Sequence, residues 1–338
     1  MIAIDVHSHF FPQQWPDLAA KFGTPDWPRI EHLGEGRARV VVGQREFLPI
    51  HAAYWDVDVR LGEMDRNQVD LQILCANPVL FAYGRPAAHA LECARMFNDA
   101  ALELCAKGRN RLFALCQVPL QDTDAACTEL SRCMRAGHLG VQIGNHVGDR
   151  DLDEEGLITF LQHCAAEGAA VLVHPWDMLA PQRMSKYMMS WIVGMPAETQ
   201  LAIVSMILGG AFERVPRDLK ICFAHGGGSF AFLLGRLDNA WHRGDLSRGK
   251  SIQPPSAYLD RFYVDSAVFD AASLRFLVDV MGEDRVMLGS DYPSPVGEAR
   301  VGALVRTAPG MSISGRQKIL AHNAVHFFGL VARLQHAA

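Results

Sequence analysis

Eight short β-rich runs recur along the chain with helix-patterned stretches between them, and this alternation restricts the fold more than any other feature. The runs cover residues 2–6, 69–74, 112–118, 140–143, 170–173, 219–224, 262–265 and 285–289. Apolar recurrence at three and four residues marks helices near 86–106, 122–136, 154–166, 197–212, 229–242 and 271–280. Strands alternating with helices imply a parallel sheet, and eight of them imply its closure into an α/β fold of the (β/α)8 TIM-barrel type. At 338 residues the expectation is one barrel domain over 1–338.

One stretch breaks the alternation. The long gap between the first and second runs contains Pro12, Pro16, Pro25, Pro28 and Pro49, and within it 37–42 and 46–50 alternate around Gly43. This predicts an inserted lobe over 13–60, built on a small hairpin above the barrel mouth.

Composition narrows the classes. The chain is 49% hydrophobic and 20% charged with a formal net charge of -5, which fits a soluble globular protein and offers no basic surface for nucleic acid. Eight cysteines without a C-x-x-C pair read as buried free thiols in a reducing, cytoplasmic compartment. The first ten residues lack the charge and apolar run of a signal peptide. No window is read as long enough to span a bilayer, so no membrane partner is expected.

The chemistry begins with His7-Ser8-His9. Residues i and i+2 of a strand share a face, so both imidazoles can converge on one ion. Reactive groups of a (β/α)8 barrel lie at the C-terminal ends of its strands. The same placement recurs at His174 in VLVHPWD, at His225 in ICFAHGGG and at Asp291 in VMLGSDYP. Three imidazoles and a carboxylate suit zinc or another borderline divalent metal and leave room for a water. His225, before three glycines, is expected to serve as an acid–base, with a fifth ligand as the other reading. Each residue also has a bland reading: His174 as a core histidine, Asp291 as a turn former. Agreement among four strand ends weighs against coincidence.

Together DVHSHFFP, HPWD, MPAETQ, FAHGGGSFAFLLGR and LGSDYP resemble the amidohydrolase superfamily, and within it the aminocarboxymuconate semialdehyde decarboxylase family. The likeness runs from residue 3 to about 329. It implies one zinc ion held by His7, His9, His174 and Asp291, with His225 and Asp291 in the catalytic set. Gln142 stands where two-metal hydrolases of the superfamily carry a bridging lysine, which implies a single ion. Arg236 resembles an arginine that a neighbouring subunit inserts to bind a substrate carboxylate, implying a homodimer; on spacing alone it is equally a solvated helix residue. The implied reaction is non-oxidative decarboxylation of 2-amino-3-carboxymuconate 6-semialdehyde.

Two departures widen the choice of small-molecule substrate. Leu48 follows Phe47 where the family carries an arginine, and Arg45, three residues away, should face the other side of a regular strand. Ser294 replaces the phenylalanine of DYPFP. Another ring-cleavage semialdehyde, or a hydroxybenzoate of the resorcylate or salicylate type, is therefore a competing substrate, and lactone or amide hydrolysis a competing reaction. A non-enzymatic metal-binding scaffold is disfavoured by the open coordination position. Trp176 and Trp191 read as either a wall for a planar substrate or packing residues, as do Asn77, Phe81 and Tyr83. Asp265 is expected to orient a neighbour by hydrogen bond. The cationic stretch at Arg243, Arg248 and Lys250, broken by Asp245, reads as a solvated face or subunit contact.

Overall fold

The computed structural model describes residues 1–244 and 247–331, so Asp245 lies outside the described residues. In chain order the strands are β1 (Ile4–Phe10), β2 (Pro28–Gly34), β3 (Arg37–Val42), β4 (Arg45–His51), β5 (Leu71–Ala76), β6 (Leu112–Ala114), β7 (Gly140–Gly144), β8 (His146–Val147), β9 (Arg150–Asp151), β10 (Ala170–His174), β11 (Ile221–Phe223), β12 (Tyr263–Asp265) and β13 (Val286–Met287). The main helices are α1 (Leu18–Phe22), α2 (Val57–Asn67), α3 (Ala87–Lys107), α4 (Thr123–Ala136), α5 (Glu155–Ala166), α6 (Met195–Leu208), α7 (Ala211–Arg214), α8 (Phe230–His242) and α9 (Ala271–Met281). Asp56, Asp122 and Asp270 cap α2, α4 and α9, Asp56 and Asp270 each accepting from two backbone N–H groups of the first turn and Asp122 from one.

Eight strands run parallel in the orders β1-β5-β6 and β7-β10-β11-β12-β13. Backbone hydrogen bonds join the two groups at both seams. Cys116 N donates to Gly140 O at 2.9 Å and Gln142 N to Cys116 O at 2.8 Å, while Val6 N donates to Leu288 O at 2.9 Å. Parallel bridges pair Cys116 with Val141 and Ser8 with Tyr292. The eight predicted runs are thus the eight barrel strands.

Strand alternation decides which side chains meet the helices. Val171, Val173, Ile221 and Phe223 pack with Ile203, Met206, Leu274 and Leu277, whereas Leu172 and Cys222 fall in another cluster with Ile73, Cys75 and Met287. His174 shares the parity of Leu172 and so turns away from the helices.

Three expectations are corrected. β1 continues through both histidines to Phe10 and is buried throughout, because the imidazoles and Ser8 all find partners inside the barrel. The lobe is a three-stranded antiparallel sheet, β2-β3-β4, rather than a lone hairpin. Its first strand escaped notice because Pro28, Glu31 and His32 interrupt the apolar alternation. Finally, the helical stretch Ser190–Leu208, 19 residues with mean hydropathy 1.4, is long and apolar enough to cross a membrane by length and composition. Ala202, Ile203, Met206 and Ile207 on it pack into the barrel's main core.

Candidate metal centre and active site

β1, β10 and the turn after β13 bring His7, His9, His174 and Asp291 together, all buried, with one ligand atom from each lying within 4.8 Å of the others. His9 Nε2 stands 3.0 Å and His7 Nε2 3.6 Å from Asp291 Oδ1, and the two Nε2 atoms are 3.3 Å apart. His174 Nδ1 bonds the Pro175 carbonyl at 3.0 Å, which leaves its buried Nε2 without a partner. Buried polar atoms are ordinarily paired, so an orphaned imidazole nitrogen beside two others and a carboxylate fits a divalent ion. The predicted ligand set fits a metal as a set.

Asp265, at the end of β12, lies 2.7 Å from His7 Nδ1 and also accepts from Gly226 N at 2.9 Å. This directs His7 Nε2 to the centre of the cluster. Gly289 makes the approach sterically feasible, since a Cβ there would stand 2.7 Å from the Asp265 Cβ and 3.0 Å from the His7 Cβ.

The electrostatics follow from burial and pairing. Burial resists charge on Asp265, but the hydrogen bond and charge of His7, together with His225 and the Gly226 amide, outweigh it and hold the carboxyl below its usual range. Burial likewise opposes the imidazolium of His7, yet Asp265 raises it overall. At His174 burial acts unopposed by any hydrogen-bonded carboxylate, and with the neighbouring imidazoles it drives the group well toward the neutral form that a metal ligand needs. Asp291, despite burial, is held well below the usual carboxylate range by the imidazoles of His225, His9 and His7 gathered around it.

His225 completes the cluster from the end of β11. Its ring centroid is 5.0 Å from that of His174, and its Nε2 is 3.9 Å from Asp291 Oδ2. His225 and Asp291 both hold positive φ, 55° and 59°, a sparsely populated region for such residues. Gly228 follows at φ 63°, and a Cβ there would meet the Pro196 carbonyl at 2.2 Å, so the triple glycine also lets the turn pass close to α6.

A narrow chamber of about 20 Å3 over the cluster is bounded by His9, Asn77, His174, Asp291 and Ser294, with Phe47, Trp176 and Trp191 at its outer side. Those three aromatics also border an outer cavity of about 880 Å3 between lobe and barrel, which includes Leu48, Arg45, Tyr83 and Arg85. Trp176 and Trp191 therefore line both spaces, and Ser294 lines the inner chamber beside the metal cluster. Leu48, only 2% exposed, lies in the outer cavity. Phe81 is core, while Asn77 caps the following turn through Val79 N as well as facing the chamber.

The expected orientation of Arg45 is corrected. The pairing of β3 with β4 shifts between Val40 and Val41, which face Leu48 and Glu46, so Phe47 is an extra residue in the ladder. A bulge of this kind resets the alternation, and Arg45 and Leu48 border the same cavity. Arg236 is exposed on α8 and borders neither cavity. Gln142, at the place of the bridging lysine, donates to the Ala76 carbonyl at 3.2 Å.

Sequence reading missed Asn145 and Glu198. Asn145 Oδ1 accepts from Trp176 N at 2.7 Å and its amide donates to Glu198 at 2.6 Å, while Glu198 accepts from Leu179 N at 2.6 Å. They fix the loop that carries Trp176. Glu198 was visible inside MPAETQ, but its partners are distant in sequence and left no local pattern.

Comparison with known proteins agrees with this geometry. The amidohydrolase family model matches residues 4–330. The chain belongs to the amidohydrolase family. It is 40% identical over 331 residues to a 2-amino-3-carboxymuconate-6-semialdehyde decarboxylase of Dictyostelium discoideum, covering 97% of this chain and 92% of that one. That relationship places it in the decarboxylase family which its motifs resemble. The crystal structure of 5-carboxyvanillate decarboxylase from Sphingomonas paucimobilis superposes with a TM-score of 0.80 at 27% identity, over 97% of this chain and 99% of that one. A second such decarboxylase, from Novosphingobium aromaticivorans and complexed with manganese, has the same fold, with a TM-score of 0.80 at 23% identity over 97% and 96% of the chains. The chain is a carboxy-lyase with a metal-binding site.

Proposed function

We propose that the protein is a zinc-dependent, non-oxidative decarboxylase of a small unsaturated carboxylic acid, 2-amino-3-carboxymuconate 6-semialdehyde. The observation that carries this reading is the closed set of His7, His9, His174 and Asp291 with His225 beside it, in a chain 40% identical to a decarboxylase of that compound. Three imidazoles and one carboxylate favour zinc, with manganese the competing ion.

A divalent ion at this site would supply Lewis acidity and make a coordinated water acidic near neutral pH. The surrounding residues do the rest. Trp176, Trp191 and Phe47 hold the planar conjugated substrate edge-on to the metal centre, and Ser294 gives the wall a polar, wider section. His225, on a fixed turn beside the Asp291 carboxylate, moves a proton between water and the substrate carbon that loses CO2. Arg236 of a second subunit supplies a guanidinium for a carboxylate, so the working unit is a homodimer.

A hydroxybenzoate is the second reading, favoured by Leu48 and Ser294, which remove a charged clamp and an aromatic wall. Zinc-loaded protein given freshly generated semialdehyde should lose the substrate absorbance with matching CO2 release. Absence of turnover by the native chain, with gain in Leu48→Arg, would transfer the assignment to a substrate lacking that carboxylate. Replacing His225 with Ala should leave metal content intact and remove most turnover; loss of both would make His225 a ligand.

A further inference from the structure

Beneath the metal centre, α2 carries a buried arginine that no ligand or substrate role accounts for. Arg60 is 3% exposed. Its Nε donates to the Ala53 carbonyl at 3.0 Å, one terminal nitrogen to Gln72 Oε1 at 3.1 Å and to Ser8 Oγ at 3.4 Å, and the other to the His9 carbonyl. The guanidinium carbon lies 5.1 Å from the centroid of the Tyr292 ring. Among the described residues no carboxylate is hydrogen-bonded or ion-paired to it. The connection to one runs through Gln72, whose amide donates to Asp5 Oδ2 at 3.0 Å.

Asp5, fully buried, accepts from His7 N at 3.2 Å, from Ser290 N at 3.1 Å and from Ser290 Oγ at 2.6 Å. Each end of the string thus holds both sides of the metal cluster. Arg60 holds the His9 carbonyl and the ring of Tyr292, and Asp5 holds the His7 amide and Ser290. Asp291 stands between Ser290 and Tyr292, so the string bonds the backbone of His7 and His9 directly and flanks Asp291 on both sides, while offering no ligand atom itself.

Burying a guanidinium and a carboxylate without direct contact is a costly way to stabilise a fold, and an apolar layer would stabilise this barrel floor as well or better. What the string adds is a fixed gap. β1 and β13 share no extended ladder at this level: their seam is the Ser8–Tyr292 bridge with the hydrogen bonds Val6 N to Leu288 O, Asp291 N to His7 O and His9 N to Tyr292 O. The string adds side-chain ties on both sides of that short seam, next to the residues that carry the β1 imidazoles and the Asp291 carboxylate.

We propose that Arg60, Gln72 and Asp5 are positioning residues which set the spacing of the His7–His9 pair against Asp291, and so determine metal retention and coordination geometry. The proposal rests on the reading of those residues as metal ligands. Gln72 is the most selective place to test it, because methionine matches its shape and removes both coupling hydrogen bonds. Arg60→Lys retains charge and a single donor group but loses the fork that spans several acceptors.

The experiment loads wild type, Gln72→Met, Arg60→Lys and Ile158→Val with Co2+, records the visible ligand-field spectrum, and follows loss of the ion to excess chelator. Ile158→Val truncates a buried residue of α5 remote from the centre and controls for global stability. Stripping about tenfold faster with an altered spectrum in Gln72→Met, a smaller change in Arg60→Lys, and wild-type behaviour in the control would support the proposal, in line with the effect of outer-shell partners on metal sites. Wild-type spectra and stripping rates in both string variants would overturn it, as would equal acceleration in the Ile158 control. Failure of the wild-type protein to take up Co2+ would instead overturn the ligand reading and the inference with it.

Discussion

At the scale of single residues, the centre is set by chemistry and by permitted distance. His7, His9, His174, His225 and Asp291 were legible in the sequence because each ends a β-rich run and each can hold or move a proton or metal. Asp265 was visible for the same reason, and its 2.7 Å contact with His7 Nδ1 gives it the orienting role its position suggested. Asp5, Gln72, Arg60 and Gly289 were not legible, since their roles are distances between segments far apart in the chain. Substitution of Asp265 by Asn removes the charge while keeping the shape. Metal affinity should fall about 10- to 100-fold, the usual effect of losing an outer-shell carboxylate, as read by competition with a chromogenic chelator. Gly289→Ala should weaken binding at least as much, because its methyl would meet the Asp265 and His7 Cβ atoms inside contact distance. Unchanged affinity in both would mean that His7 is oriented by the strand alone.

At the scale of elements, the inserted lobe shows where periodicity carries information and where it stops. The alternation around Gly43 identified the β3–β4 hairpin, but a register shift belongs to the pairing of two strands and has no signature in either one. That shift turns Arg45 toward the cavity that Leu48 borders. Among the described residues the Arg45 side chain has no hydrogen bond or ion pair, and it borders the outer cavity, where it would be free to bind a second carboxylate if the substrate carries one. Replacing it with Gln should raise KM about tenfold, corresponding to roughly 1.4 kcal/mol, with kcat little changed, since a group this far from the ligands contributes binding rather than chemistry. An unaltered KM would assign carboxylate binding to Arg236 instead.

At the scale of the whole molecule, the alternation of strand and helix was sufficient to specify the barrel, because each βα unit carries its own local signal and closure follows from their number. Assembly is different, because a subunit contact leaves no periodic trace. Arg236 sits on the exposed face of α8, one turn from Phe232, which is 79% exposed, and neither residue borders the inner chamber or the outer cavity. If Arg236 serves the partner's centre, each site in a dimer combines His225 of one subunit with Arg236 of the other. His225→Ala and Arg236→Ala proteins would each be nearly inactive alone. Mixed in equal amounts and allowed to exchange, half of the dimers would be hybrids, and each hybrid would hold one site with both residues intact and one with neither. Activity should then recover to about a quarter of the wild-type value, by the symmetry of a twofold assembly. The recovery should vanish at dilutions that separate subunits. No recovery on mixing subunits shown to exchange would restrict Arg236 to its own chain and leave carboxylate binding to the cations that border the outer cavity, Arg45 and Arg85.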